Sequence, residues 1–206
     1  ALIATARSYL RPETVHAAND AISNATAMLP TFKLFNIREA LHSSSDGQRF
    51  ETQINTFNAR HAPKYFGLDK GVSACTVVAN HVPINARIIG THEHESHFVF
   101  DLLYNNTSDI KPTRHSTDTH GTNQVNYLCL FAHGYSFAPR YKTVQKKTAS
   151  LVGFNLPSHY PADMLIRPTS KANEDLIVSE WPNVQRHLGI PCAKGHDAGH
   201  HRAQTQ

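Results

Sequence analysis

Two aspartates stand where chemistry could be done, Asp46 and Asp118. Each follows a run of small hydroxyl residues, Ser43-Ser44-Ser45 in one case and Ser116-Thr117 in the other. Each opens a turn-prone stretch, Asp46-Gly47 and Asp118-Thr119-His120-Gly121. Two carboxylates brought close together repel unless a cation sits between them. Hard oxygen donors select magnesium or manganese. A pair of such ions can activate a water or a 3′-hydroxyl and stabilise the leaving oxygen in phosphodiester transfer. Taken alone, Asp46-Gly47 reads better as an Asx-turn in a hairpin. Its partnership with Asp118 raises the other reading.

The stretch Arg114 to Arg140 must position the second aspartate. A short β-prone run leads into Asp118, and a helix starts at Thr122 or Asn123. Val125, Leu128, Cys129 and Ala132 give that helix an apolar face. Gly134 ends it, and Tyr135 to Ala138 forms the next strand. In strand–helix–strand units functional groups collect at the carboxyl ends of strands. Asp118 stands there.

Upstream, Pro12 opens a helix running to about Leu29, with Val15, Ala18, Ile22, Ala25 and Leu29 as its packing face. Pro30 stops it, and Phe32, Leu34, Phe35 and Ile37 make an apolar connector. Ile54 to Phe57 is briefly extended. Val72 to Val82 reads as a strand broken by Pro83, and Ile84 to Gly90 as the second arm of a hairpin. Phe98, Val99, Leu102 and Leu103 mark a helix ending near Asn105-Asn106. Leu151 to Ile166, with Pro157 and Pro161, is irregular. Lys171 to Leu188 reads as an amphipathic helix, carrying Glu174 and Glu180 and broken by Pro182.

The order is therefore strand with Asp46, strand, strand, helix, strand with Asp118, helix, strand. That is the order of an α/β, ribonuclease-H-like fold, a mixed five-stranded sheet flanked by helices. Its first and fourth strands are neighbours, and their ends bring Asp46 and Asp118 together.

Composition sets mild bounds. With 206 residues and 40% hydrophobic content, the chain can bury one core. Lys and Arg outnumber Asp and Glu by 20 to 16, and 15 histidines add latent positive charge, which favours a polyanionic partner. Cys75, Cys129 and Cys192 are odd in number and scattered, so they read as buried free thiols of a reducing compartment. No signal peptide and no membrane-spanning run is present, and the first residue is not Met, so the start reads as a cut from a longer chain.

Other candidates compete. Arg60 to Lys70, with His61, Lys64, Tyr65 and Phe66, combines cations with stacking rings, as nucleic-acid backbone and bases require. A solvated loop with its rings tucked inward has the same composition. Tyr141, Lys142, Lys146 and Lys147 form a basic exit near Asp118. His92, His94 and His97 invite zinc, but residues two apart diverge on strand and helix alike. Glu93 and Glu95 are read as first-turn carboxylates of a helix. His196, Asp197, His200 and His201 lie in a Gly/Ala/His-rich end without apolar periodicity.

Several longer motifs sharpen this picture. S-S-S-D-G-Q-R-F at Ser43 to Phe50, P-K-Y-F-G at Pro63 to Gly67, T-D-T-H-G at Thr117 to Gly121 and H-G-Y-S-F-A-P-R at His133 to Arg140 resemble the catalytic region of the Tn-three family of DDE-type transposases. Y-L-R-P-E-T-V-H-A-A-N at Tyr9 to Asn19 resembles the segment before it. The likeness runs from about residue 5 to about 188. It implies a ribonuclease-H-like core, metal-dependent cutting and joining of transposon ends, and a two-metal site for magnesium or manganese in the intact enzyme. Asp46 matches the first metal-binding aspartate and Asp118 the second. Gln48, Arg49, Lys64, Tyr65 and Arg140 fall in matching segments, and their chemistry suits DNA contact. The implied partners are terminal inverted repeats, target DNA and further copies of the chain, in the bacterial cytoplasm at the nucleoid.

The family's third carboxylate, a glutamate, lies further along than the 88 residues that follow Asp118 here. Two of three acidic residues are therefore expected in this chain, with activity weak or absent. The other reading is a DNA-binding remnant that kept the fold and lost the chemistry. The expected organisation is a helical lead-in over 1–36, an incomplete ribonuclease-H-like core over 37–145, an irregular and helical segment over 146–188, and a disordered tail over 189–206. A premature end, as after a frameshift, would produce such a tail.

Overall fold

A computed structural model describes residues 2–36, 40–54 and 56–189. Ile37, Cys192 and the tail group His196, Asp197, His200 and His201 lie outside the described residues. The chain divides into two compact units, Ala1–Lys142 and Thr143–Gln206. Among the described residues no helix is long and apolar enough to cross a membrane.

The first unit opens with helices α1 (Leu2–Tyr9) and α2 (Pro12–Ala27), followed by a 3-10 turn over Pro30–Phe35. It continues with β1 (His42–Glu51), β2 (Arg60–His61), α3 (Pro63–Phe66), β3 (Lys70–Ala79), β4 (Val82–Gly90), α4 (Val99–Tyr104), β5 (Arg114–Thr117), α5 (Gln124–Ala132) and β6 (Ser136–Phe137). The strands lie side by side as β4-β3-β1-β5-β6, with β2 beside β3. Strands β1, β3 and β4 pair antiparallel, while β5 and β6 run parallel to β1 and to each other. This is the ribonuclease-H-like order. The sheet has six strands rather than five, because Arg60–His61 forms a two-residue ladder with Lys70–Gly71.

Alternation along β3 builds the core. Cys75, Val77 and Ala79 point to one face and join Ile84 and Ile89 of β4, Val99, Leu102 and Leu103 of α4, and Leu130 of α5. The hairpin turn is Asn80-His81, both with positive φ, the pattern of a two-residue type I′ loop. Asn80 is fixed there by donating Nδ2 to Phe32 O and Asn36 Oδ1. The break expected at Pro83 is displaced accordingly. Pro83 lies inside β4, an edge strand where its missing N–H costs no ladder bond.

Two helices bury other faces than their apolar periodicity implies. In α2, Ile22 and Val15 are exposed, while buried Ser23 donates to Pro83 O at 2.8 Å. Unpaired carbonyls on the edge strand reward a polar contact there. In α5 the buried residues are Asn126 and Leu130, with Val125 exposed.

The second unit holds α6 (Val144–Thr148), the parallel pair β7 (Val152–Gly153) and β8 (Ser170–Lys171), and α7 (Glu174–Leu188). Asn173 caps α7 by accepting from Leu176 N, and Gly189 closes it in the left-handed region. Pro182 does not break α7. The helix runs through it, giving up one backbone bond on an element with no buried residue, where water can serve the freed carbonyl.

Candidate metal and nucleic-acid site

The geometry of the two aspartates follows from one register. In the parallel β1–β5 ladder Ser45 pairs with Thr117, so Asp46 and Asp118 are the next residues on adjacent strands. There β5 ends, while β1 continues against β3, with Asp46 opposite Thr76. Asp46 therefore does not open a turn. It sits mid-strand, since β3 supplies ladder partners through Glu51. Asp118 does open one. Its Oδ1 accepts from His120 N at 2.8 Å and Gly121 N at 3.0 Å. Gly121 is required because a Cβ there would collide with the Thr117 side chain.

A third carboxylate, Glu95, lies near enough to feel the charge of both aspartates. Glu95 lines the same cleft as Asp46, and its Oε2 occupies the space that a Cβ on Gly47 would fill. Its backbone neighbour is held in place from α5. Asn126 donates Nδ2 to Ser96 O at 2.7 Å and to Gly121 O at 3.1 Å, and Asn123 also reaches Ser96 O. Burial raises the Glu95 pKa, and the negative charges of Asp118 and then Asp46 raise it further. The same environment pushes the buried Cys75 thiol up to about 11, first through desolvation and then through Glu95 and Asp46. In the sequence alone Glu95 has only a helix-start role. Its distance from both aspartates along the chain hid the convergence, and the only local signal was the bare Gly47.

One wall of this cleft, about 380 Å³ in volume, is basic and aromatic. Arg49 stacks over the Tyr65 ring at 4.0 Å, and Lys64 approaches the same ring at 5.2 Å. Both Lys64 and Tyr65 come from α3, whose Pro63 starts it. The structure thus gathers Asp46, Arg49, Lys64 and Tyr65 around one cleft. Gln48 is not among its lining residues, although it shares the strand face of Asp46. Arg140 lies apart from the cleft but beside Asp118. Its N donates to Thr117 O at 2.8 Å, extending the β5–β6 ladder, and its side chain is exposed.

His94 and His120 also line the cleft, with ring centroids 6.4 Å apart. The trio His92, His94 and His97 does not converge. Among the described residues no three His, Cys, Asp or Glu side chains are grouped to hold a metal ion. His94 instead caps a 3-10 turn, its Nδ1 accepting from Ser96 N. Toward a hard divalent cation the chemistry of Asp46 and Asp118 fits. Both present carboxylate oxygens: Asp46 Oδ1 accepts from Gly47 N, and Asp118 Oδ1 accepts from His120 N and Gly121 N.

The chain is similar to known transposases. The Tn3 transposase DDE domain matches residues 1–189. The transposase for transposon Tn2501 of Escherichia coli is 28% identical over 179 residues, covering 86% of this chain and 18% of that protein. The transposase for transposon Tn4556 of Streptomyces fradiae is 27% identical over 135 residues, 65% of this chain and 15% of that protein. The transposase for transposon gamma-delta of Escherichia coli strain K12 is also 27% identical over 135 residues. The chain spans less than a fifth of the length of these relatives. No solved structure matches it. A match over nearly the whole chain, on a sheet of ribonuclease-H-like order, makes this chain a member of the Tn3 transposase DDE domain family.

Proposed function

We propose that this chain forms part of the DDE centre of a transposase that cuts and joins transposon ends. The observation that carries the reading is the Ser45–Thr117 register, which sets Asp46 beside Asp118 in a chain matched by the family over residues 1–189. DDE domains use divalent metal, and Asp46 and Asp118 would hold magnesium or manganese here. Bound there, a metal pair would activate a water or a 3′-hydroxyl and stabilise the leaving oxygen. The chain's own groups do the rest. Arg49 and Lys64 neutralise phosphate, and Tyr65 offers a stacking face beside them. Gln48 and Arg140 contact the backbone outside the cleft. Glu95 adds negative charge that a cation would relieve. The substrate is DNA at transposon ends and target DNA, handled by an oligomer in the bacterial cytoplasm at the nucleoid.

With two family-matched carboxylates, this chain alone binds metal and DNA but cuts poorly. The test is Mn²⁺ titration of the chain followed by electron paramagnetic resonance. Binding that disappears in Asp46→Asn and Asp118→Asn supports the reading. Binding that survives both substitutions, or strong magnesium-dependent nicking that does not need Asp118, sinks it.

A further inference from the structure

The β1–β5 ladder is short, His42–Ser45 against Arg114–Thr117. Register is strongly specified where one face of a strand buries apolar side chains, and only weakly otherwise. Here β1 turns Ser43 and Ser45 inward. A slip of one residue would carry Asp118 about 3.3 Å past Asp46 and reverse every side chain around it. A polar device must therefore fix the height of the two strands.

His115 has the required geometry. It is wholly buried, with 0% exposure. Its Nδ1 lies 2.8 Å from Ser43 Oγ and its Nε2 lies 3.0 Å from Ser45 Oγ. The ring thus spans two successive inward positions of β1, and any shift breaks both bonds. Phe137 of β6 stacks parallel to it at 6.2 Å. A neutral imidazole offers one donor and one acceptor, and a serine hydroxyl can serve either. Burial, with His42 nearby, holds the ring neutral, its pKa lowered to about 3. A second tie runs the other way. Ser116 Oγ donates to Ala138 O at 2.6 Å and so accepts from His42 Nε2 at 2.8 Å.

We propose that His115 is a positioning residue. By bridging Ser43 and Ser45 it locks the β1–β5 register that sets Asp46 beside Asp118, and thereby sets the affinity of that pair for a divalent cation. The inference rests on the carboxylate reading above.

The test is Mn²⁺ titration of this chain in parent, His115→Leu, His115→Gln and Ser44→Ala forms, with folding checked by circular dichroism and thermal melts. Leucine fills space and makes neither bond, glutamine reaches one serine, and Ser44 is an exposed control. His115→Leu is expected to keep a cooperative melt yet weaken Mn²⁺ by roughly tenfold or more, the loss typical when support behind a ligand is removed. Glutamine should recover part of it, and Ser44→Ala should match the parent. Parent-like affinity in a folded leucine variant overturns the proposal. If that variant does not fold, Ser45→Ala removes one bond only, and parent affinity there overturns the proposal equally. A parent that binds no Mn²⁺, or whose binding survives loss of Asp46 and Asp118, overturns the carboxylate reading instead. The clamp is then judged by amide exchange over Arg114–Thr117. It should quicken about tenfold in Ser45→Ala as the ladder opens more often. Unchanged exchange rejects it.

Discussion

Ser45 and Thr117 face each other across the parallel β1–β5 ladder, and each is followed by an aspartate. Past that pair β5 stops while β1 runs on, so the carboxylates stand where the sheet opens. The strand-end placement that α/β folds use for ligands is here produced by one strand ending four residues after it begins.

The first prediction concerns metal. Ligand that binds only the folded chain raises its stability by about 2.7 kcal/mol at a hundredfold excess over Kd. Millimolar Mn²⁺ should raise the melting temperature of the parent and leave Asp118→Asn unmoved. Asparagine is the right substitution because its oxygen can still accept from His120 N and Gly121 N. An equal rise in both proteins would place the ion elsewhere.

How much of this was legible in the sequence depends on range. Apolar alternation in β3 and the strand–helix order exposed the fold, because both are local patterns. Asp46 and Asp118 were legible through hydroxyl-rich runs and motif likeness. Glu95 was not, because its role arises only when the β3–β4 hairpin and α5 bring Ser96 back to Gly121. The buried faces of α2 and α5 are not legible in the sequence for a related reason. Periodicity counts apolar residues, whereas Ser23 and Asn126 are buried for the carbonyls they satisfy.

The second prediction concerns Glu95. Its carboxylate is partly desolvated and repelled by Asp118 and Asp46. A raised folded pKa makes the charged form a liability above that pKa, so neutralising it should help the metal-free fold. Glu95→Gln should melt a few degrees higher, roughly 1–3 °C, than the parent at neutral pH without metal. It should also gain less from Mn²⁺, since there is less repulsion to relieve. A lower melting temperature would mean that Glu95 is held by bonds rather than strained by charge.

The third prediction separates two glycines. A Cβ on Gly121 would strike Thr117, which is β-branched, 4% exposed and unable to swing aside. Gly121→Ala should cost roughly 1–3 kcal/mol in urea unfolding. A Cβ on Gly47 meets the far end of the Glu95 side chain, which can move away. Gly47→Ala should cost well under half as much, and less still in a Glu95→Ala background. Equal costs for the two glycines would refute this account.

The last prediction is the pH dependence contributed by His115. In the folded chain its pKa is lowered to about 3 from an ordinary 6.5, through burial first and then the neighbouring His42. Between those values the unfolded chain binds a proton at this residue and the folded chain does not. Unfolding therefore gains as pH falls, and stability rises with pH across the window, by at most about 1.4 kcal/mol per unit. His42, also lowered, acts in the same direction. Glu95, raised, acts in the opposite one, so the net slope of the parent is a sum. The His115 share is isolated by difference. Urea unfolding of parent and His115→Gln at pH 4.5, 5.5 and 6.5 should show the parent's advantage shrinking as pH falls, because glutamine takes up no proton in either state. Parallel stability curves would mean that the ring is already protonated within the fold. A buried imidazolium could still donate to both serines, but it would leave a charge without a counter-ion in the β1–β5 interface, where Phe137 stacks beside the ring.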